Sequence, residues 1–223
     1  MGFVSAIIPA AGEGQRFGAK KQFKKLRGQP LVFYSVKQFY DCDKVKEIIL
    51  VVPKTKIEWV QNIVLKTFSE KPILVISGGH DRQTSVRNGI EASSKKSNLV
   101  CIHDAARPFL TQELINNSIN GCENSDGAIV AVPSSDTIKI AHNGNVENTI
   151  ERESVWLAQT PQTFHKSKLN IATENSKKKK LCVTDESMLM EAMGYRVKLV
   201  DGDEDNFKIT TKKDWVRAEK LIC

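Results

Sequence analysis

Short, almost wholly apolar runs at residues 4–8, 47–52, 73–76, 99–102 and 128–132 restrict the fold more than any other feature of the chain. Each is too short for a helix, and a strand apolar on both sides is a strand covered on both faces. Longer stretches with apolar residues at three- and four-residue spacing lie between and after them, predicting helices over 31–40, 57–68, 83–92, 112–123, 167–176, 186–193 and 213–221. In the first of these, Pro30 starts the helix and Leu31, Tyr34, Ser35, Val36 and Phe39 form the inward stripe. Alternating strands and helices predict an α/β fold, a doubly wound and mostly parallel sheet with helices on both faces, built as one domain over residues 1–223.

Residues 136–156 interrupt that rhythm. Ile138-Lys139-Ile140 alternates, His142-Asn143-Gly144-Asn145 supplies a turn, and residues 146–150 resume an extended pattern, so a protruding β-hairpin arm is expected. A two-stranded arm is marginal alone. Packing on a second copy would support it, which predicts a homodimer with interlocked arms.

Composition narrows the function classes. Hydrophobic content of 40% and charged content of 26% are those of a globular protein, and no apolar run approaches the roughly 20 residues of a membrane span. With no basic n-region and cleavage site at the start, a cytoplasmic setting and no membrane partner are expected. The five cysteines, Cys42, Cys101, Cys122, Cys182 and Cys223, are odd in number and form no C-x-x-C pair, so reduced thiols are expected, with Cys101 in the core. The net charge of +7 is spread along the chain, apart from Lys177 to Lys180, which reads as a solvated loop. Aromatic content of 7% without a base-stacking motif gives no support for RNA, and no nucleic-acid partner is expected. Basic residues are also what a site for two anionic substrates collects.

Ligands of doubly wound sheets bind beyond the carboxyl ends of the strands, and here those loops carry the chemistry. After the first strand comes PAAGEGQRFGAKKQF, with Gly12, Gly14 and Gly18 beside Arg16, Lys20 and Lys21. Small residues let backbone N–H groups approach an anion while the cations balance its charge, so the loop reads as a polyphosphate cradle. On spacing alone it is equally an ordinary strand-to-helix turn. The third glycine falls one residue late for G-x-G-x-x-G, and no G-x-x-x-x-G-K-[ST] occurs, which disfavours dehydrogenases and P-loop NTPases. After the third, fourth and fifth strands come SGGHDRQTSVRNG, HDAARP and PSSDTIK. No two of the four histidines have metal-ligand spacing, and His103 reads as structural. The residues supply glycines and cations but no evident nucleophile–base pair, which suits a reaction at phosphorus.

The strings PAAGEGQRFGAKKQF, GGHDRQTSV, HDAARPF, DTIK, LAQTPQ, TDES and DNFKIT stand in the order seen in the 2-C-methyl-D-erythritol 4-phosphate cytidylyltransferases, and the chain resembles that family from Val4 to about Leu221. The resemblance implies a Rossmann-like nucleotidyltransferase that transfers CMP from CTP to a sugar-alcohol phosphate in non-mevalonate isoprenoid synthesis, releasing pyrophosphate, with Mg²⁺ or another divalent cation on the triphosphate. Ribitol-5-phosphate cytidylyltransferases share much of the pattern and remain an alternative, although the double alanine of HDAARP is closer to the methylerythritol branch. A non-catalytic nucleotide- or RNA-binding protein built on the same basic loops is the alternative of another class.

By this resemblance, Arg16 and Lys21 stabilise charge on the phosphates, with Lys20 standing where the family carries proline. Pro9, Ala10, Ala11, Gly12 and Gly14 hold the nucleotide; Gly78, Gly79 and Ser85 recognise the base. His80 replaces the family's usual acidic residue, so only its backbone contribution carries over. Asp104 and Ala105 are implied to meet the ribose, with Asp104 also at the second substrate and the metal. Arg107 is implied to bind a phosphate or to orient its loop. Thr137 and Arg152 are implied to reach the sugar phosphate across the dimer, with Thr160 and Thr184 as further substrate contacts. Lys208, expected in a late strand, would touch both phosphates, and Asp205 would help to hold the metal.

Overall fold

The computed structural model describes residues 2–179 and 183–222. The elements run β1 (Phe3–Pro9), a small hairpin of β2 (Lys25–Leu26) and β3 (Gln29–Pro30), α1 (Leu31–Tyr40), β4 (Val45–Val52), α2 (Ile57–Thr67), β5 (Ile73–Ser77), α3 (Arg82–Ala92), β6 (Ser97–Ile102), α4 (Gln112–Asn120) and β7 (Gly127–Pro133). Next come β8 (Lys139–His142), β9 (Asn145–Thr149), β10 (Trp156–His165), α5 (Lys166–Lys179), α6 (Glu186–Glu191), β11 (Val197–Asp201) and α7 (Lys212–Leu221). The five expected apolar strands and the seven expected helices are present, with ends displaced by a few residues, whereas the late strand expected at Lys208 is not. Helix α3 starts at Arg82 because Asp81 caps it, accepting from the Thr84 N–H at 2.6 Å.

The main sheet has seven strands in the order β11-β7-β10-β6-β1-β4-β5. All neighbours are parallel except β10, which runs antiparallel to both β6 and β7. Strand β1 shows why its sequence is apolar apart from Ser5. Val4, Ala6 and Ile8 enter the core under α1, α2 and α4, whereas Ile7 enters the core under α3, α5 and α6. A third cluster, with Phe17, Leu26, Leu31, Ile209 and Trp215, fastens the glycine loop and the segment before α7 to that helix.

The chain moves outward from β1 to β4 and β5, then returns to place β6 on the other side of β1. The switch point is therefore the crevice between the carboxyl ends of β1 and β6, where such sheets take their ligands.

Strands β8 and β9 form a separate hairpin whose residues are all exposed. Asn143 (φ 48°) and Gly144 (φ 80°) both have left-handed backbone, the geometry of a two-residue hairpin turn that Asn-Gly favours. Lys177, Lys178 and Lys179 are not a loop: they extend α5, where positive side chains at the carboxyl end complement the helix dipole, and Lys180 lies outside the described residues. Cys42, Cys101 and Cys122 are free and buried, and burial pushes the Cys101 thiol up to about 12, as a core residue requires. Cys182 and Cys223 lie outside the described residues. No helix among the described residues is long and apolar enough to cross a membrane.

Candidate active site

A cavity of about 150 Å³ opens at the switch point. The loop after β1 supplies Pro9, Ala10, Ala11, Gly12, Gly14, Lys21 and Gln22, α3 supplies Arg82 and Ser85, and the loop after β6 supplies Asp104, Ala105 and Ala106, with Lys208 closing the set. A second cavity of about 360 Å³ shares Gly14 and Lys21 and adds Arg16 and His80. Arg16 and the side chain of His80 thus stand in the neighbouring opening, outside the first.

The glycine loop is held in shape from several sides. Ala10 N–H donates to Val51 O at 2.7 Å, and the Gln22 side-chain amide donates to Ala10 O at 2.8 Å and Gly12 O at 2.6 Å. Gly14 has φ +68°, and a Cβ there would lie 2.0 Å from the Ala19 carbonyl oxygen, so the turn requires glycine. Phe17 packs on Trp215 of α7 with ring centroids 5.6 Å apart. These restraints divide the two adjacent lysines. Lys20 pairs with the exposed Glu13 at 3.0 Å, while Lys21 lines both cavities. Burial lowers the Lys21 pKa, as do the nearby Lys208 and Arg16 charges.

Gly78 brings the second loop against the first: its N–H donates to Val52 O at 2.8 Å, and a Cβ on it would lie 2.3 Å from the Ala11 Cβ. The Ser85 hydroxyl accepts from Gly79 N–H at 3.1 Å and donates to Asp81 O at 2.8 Å. It braces this loop, so its hydrogen is not directed to a base in this conformation.

Asp104 is the centre of the charge arrangement. Its Oδ2 accepts from Lys208 Nζ at 2.6 Å and its Oδ1 from Arg82 Nε at 3.1 Å. Burial opposes its charge, but the Arg82 guanidinium and the Lys208 ammonium outweigh that and hold the carboxyl well below the usual carboxylate range. Lys208 is in no strand. It lies in the irregular segment between β11 and α7, which is strapped to the loop after β6 by Ile209 N–H donating to Ala106 O at 2.9 Å. Arg107 tightens the same strap, donating to Asn206 O at 2.6 Å and Ala158 O at 3.4 Å. Its guanidinium orients the loop and does not line the cavity.

Thr160 also serves the loop. It is buried; its hydroxyl accepts from Asp104 N–H at 3.1 Å and donates to His103 Nδ1 at 3.0 Å, while His103 Nε2–H donates to Arg107 O at 3.0 Å. The imidazole is therefore neutral and structural, and burial lowers its pKa to about 4. The unfolded chain, with an ordinary value of 6.5, takes up this proton first. The contribution is thus fully present above pH 6.5 and falls by about 3 kcal/mol as pH drops to 4. Urea unfolding of the wild type and His103→Gln between pH 7.5 and 4 should show this slope in the wild type alone; parallel slopes would contradict it.

Thr137, Arg152 and Thr184 are exposed and do not line the cavity. Thr137 and Arg152 sit at the base of the hairpin, with Arg152 Nη1 reaching Ser135 O at 3.5 Å. Thr184 precedes Asp185, the cap of α6. Asp205 pairs with Arg217 at 3.1 Å, away from the cavity, and no group of three or more metal-ligating side chains occurs among the described residues. Asp205 thus does not line the cavity that Asp104 lines. Arg82 and Gln22 are the polar residues of the lining that motif reading did not single out. Both lie inside motifs already recognised, one residue from Asp81 and Lys21 respectively.

The model of the 2-C-methyl-D-erythritol 4-phosphate cytidylyltransferase family matches residues 4–223. The chain is 39% identical over 222 residues to the 2-C-methyl-D-erythritol 4-phosphate cytidylyltransferase of Alkaliphilus oremlandii, covering 98% of this chain and 94% of that one. It is 40% identical to the protein of that name from Caldanaerobacter subterraneus, covering 98% of each. The structure superposes on the crystal structure of 4-diphosphocytidyl-2C-methyl-D-erythritol synthase from Anaerococcus prevotii with a TM-score of 0.89 at 32% identity, over 99% of this chain and 98% of that one. Sequence and fold thus agree over nearly the whole chain, and the chain belongs to the 2-C-methyl-D-erythritol 4-phosphate cytidylyltransferase family.

Proposed function

We propose that this chain transfers CMP from CTP to 2-C-methyl-D-erythritol 4-phosphate, releasing pyrophosphate and forming 4-diphosphocytidyl-2-C-methyl-D-erythritol. The observation that carries the reading is the meeting of Lys21 and Lys208 on one cavity that holds no imidazole and a single hydroxyl already bonded to backbone. Such a site offers charge and position, with no hydroxyl or thiol paired to an imidazole among the described residues that line it. An ionised phosphate is itself nucleophilic, so holding two anions in line and stabilising the charge that builds on the transferring phosphoryl group accounts for catalysis. In this reading the nucleotide lies along residues 9–14 and the Gly78–Ala11 contact, with Arg16 over the leaving phosphates and Lys21 and Lys208 at the α-phosphate. Because these lysines face inward, the site suits a compact triphosphate better than an extended RNA backbone.

A divalent cation fits as a passenger of the nucleotide. Among the described residues Asp104 is the only carboxylate lining the first cavity, with Glu13 on the second, and both Asp104 oxygens already have cationic partners, so most ligands would come from phosphate oxygens and water, as Mg²⁺ commonly accepts. When bound, the cation would screen the charge of the triphosphate and of the departing pyrophosphate. Asp104 would meet it only by sharing its carboxylate with Lys208.

The arm completes the site in trans. Ile140 and Val146 on the hairpin are 44% and 63% exposed, and Leu157 of β10 is 51% exposed, apolar side chains that a second copy of the chain would cover. Docked there, the arm would bring Thr137 and Arg152 to the partner's sugar phosphate. Arg152→Ala is expected to raise KM for the sugar phosphate about 10- to 100-fold, the loss of one charge-assisted hydrogen-bonded pair. Steady-state kinetics at saturating CTP would read this, and an unchanged KM would remove Arg152 from the pocket.

Pyrophosphate release from CTP and Mg²⁺ tests the reaction with each polyol phosphate in turn. Turnover with 2-C-methyl-D-erythritol 4-phosphate well above that with ribitol 5-phosphate supports the proposal. The reverse preference would assign the ribitol substrate, and CTP binding without turnover would leave a binding protein.

A further inference from the structure

Arg82 lies on the cavity wall, yet each of its three guanidinium nitrogens is committed to a carboxylate. Nε donates to Asp104, while Nη1 and Nη2 donate to Glu186 Oε1 and Oε2 at 2.8 Å and 3.0 Å. The paired, in-plane grip of Glu186 fixes the guanidinium plane, which a single contact would not do. Glu186 itself is 2% exposed and does not line the cavity. It opens α6, whose place is set independently: Leu189 and Met190 are buried in the core beneath the sheet, and the capping Asp185 accepts from Gln162 Nε2 at 2.8 Å. Charge therefore alternates along one line, from Glu186 to Arg82 to Asp104 to Lys208, across residues 104 apart in sequence at both end pairs.

We propose that Glu186 is a positioning residue for nucleotidyl transfer: by holding Arg82 with both oxygens it turns Nε to Asp104, and so fixes the carboxylate that sets Lys208 at the phosphate site. The proposal rests on the cytidylyl-transfer reading above. A lysine has a long, flexible stem, and its ammonium stabilises a transition state only where its position is fixed beforehand. The chain supplies that fixation from a rigid helix start. It also keeps Arg82 from swinging into the cavity, where a free guanidinium would grip the triphosphate equally in ground and transition states.

Glu186→Gln keeps the shape but offers one acceptor in place of two and turns an amide donor towards Arg82. It is expected to lower kcat roughly 10- to 100-fold, as misplacement of a catalytic group by about an ångström does. KM for CTP should not rise, because a released Arg82 can add ground-state contacts. Arg82→Lys, which keeps the charge and loses the fork, should behave alike, and the double variant should lose no more than the worse single one. A role in folding alone would lower the folded fraction and leave kcat per folded molecule unchanged. A readout independent of turnover is acylation of Lys208 by acetic anhydride, followed by peptide mass spectrometry: its rate should increase in both variants relative to the wild type, with Lys20 unchanged as the internal reference. Single variants whose kcat per folded molecule stays within about twofold of the wild type, or effects that multiply in the double variant, would overturn the proposal. So would an unchanged Lys208 acylation rate. If the wild type transfers no cytidylyl group, the reaction assigned above fails, and the acylation rates still decide whether Glu186 sets Lys208.

Discussion

Replacing Lys21 with alanine is expected to lower kcat by roughly two to three orders of magnitude, the usual effect of removing one preorganised donor from a developing oxyanion. The expectation follows from where the ammonium is held. Lys21 stands at the junction of the two cavities, half-buried, with its Nζ 5.7 Å from the Phe17 ring centroid, and Phe17 is in turn packed on Trp215. A charge already stripped of part of its water gains more from an approaching phosphoryl oxygen than a solvated one does. The gain grows as negative charge collects on the transferring group, so the loss should fall mainly on kcat, with a smaller rise in KM for CTP. Lys20→Ala provides the contrast, since that side chain pairs with Glu13 on the exposed side of the loop. Steady-state kinetics on both variants should separate them by about two orders of magnitude, and equal effects would show that the loop acts only through its net charge.

The second large effect is expected at Lys208. Lys208→Ala should also lower kcat by roughly two to three orders of magnitude, because it removes the other cation at the α-phosphate. Its loss changes its neighbours as well. Asp104 would keep only Arg82, and Lys21 would lose a repulsion that lowers its pKa, so its ammonium would become easier to keep. The double variant should therefore fall short of the product of the two single losses, as expected for groups that act on one atom. Lys208→Arg should not restore the rate, since a planar fork does not reproduce a compact ammonium bonded to a single carboxylate oxygen. Kinetics of the two single variants and the double variant read all of this, and strictly multiplicative losses would mean that the lysines act at different places.

The parts of the fold visible in the sequence are those governed by local pattern. Buried parallel strands such as β1 and β4 must be apolar on both faces, and Asn143-Gly144 needs left-handed backbone, so both are recorded in neighbouring residues. Strand β10 is different. Its sequence WLAQTPQTFH carries proline and four polar residues before His165, and its register breaks between Ala158 and Gln162 where it spans β6 and β7. Its extended shape comes from two neighbours brought in by tertiary structure. Strand β11 lies at the sheet edge with Lys198, Leu199 and Asp201 exposed, and its sequence VKLVD carries no continuous apolar run.

The same distinction runs through the site. Lys21, Asp104 and Lys208 sit inside recognisable strings, and the structure gathers them on one cavity. Ser85, Arg107 and Thr160 lie in equally distinctive strings, but their polar atoms satisfy backbone groups of the loops that carry the site. Motif membership alone does not separate a group facing the ligand from one holding a loop in place, because both tasks use the same hydroxyls and guanidinium. Arg82 shows the converse. Its partners Asp104 and Glu186 lie 22 and 104 residues away, distances over which no spacing rule operates.

In the proposed reaction the acceptor phosphate attacks the α-phosphorus directly, between Lys21 and Lys208, with no covalent enzyme intermediate. The stereochemical course at phosphorus tests it most directly. With a single diastereomer of CTP carrying sulfur on the α-phosphate and 2-C-methyl-D-erythritol 4-phosphate as acceptor, one in-line displacement inverts the configuration, and ³¹P NMR of the product should show complete inversion. Retention would require two displacements, and with them a nucleotidyl group held covalently on the protein, which contradicts direct transfer.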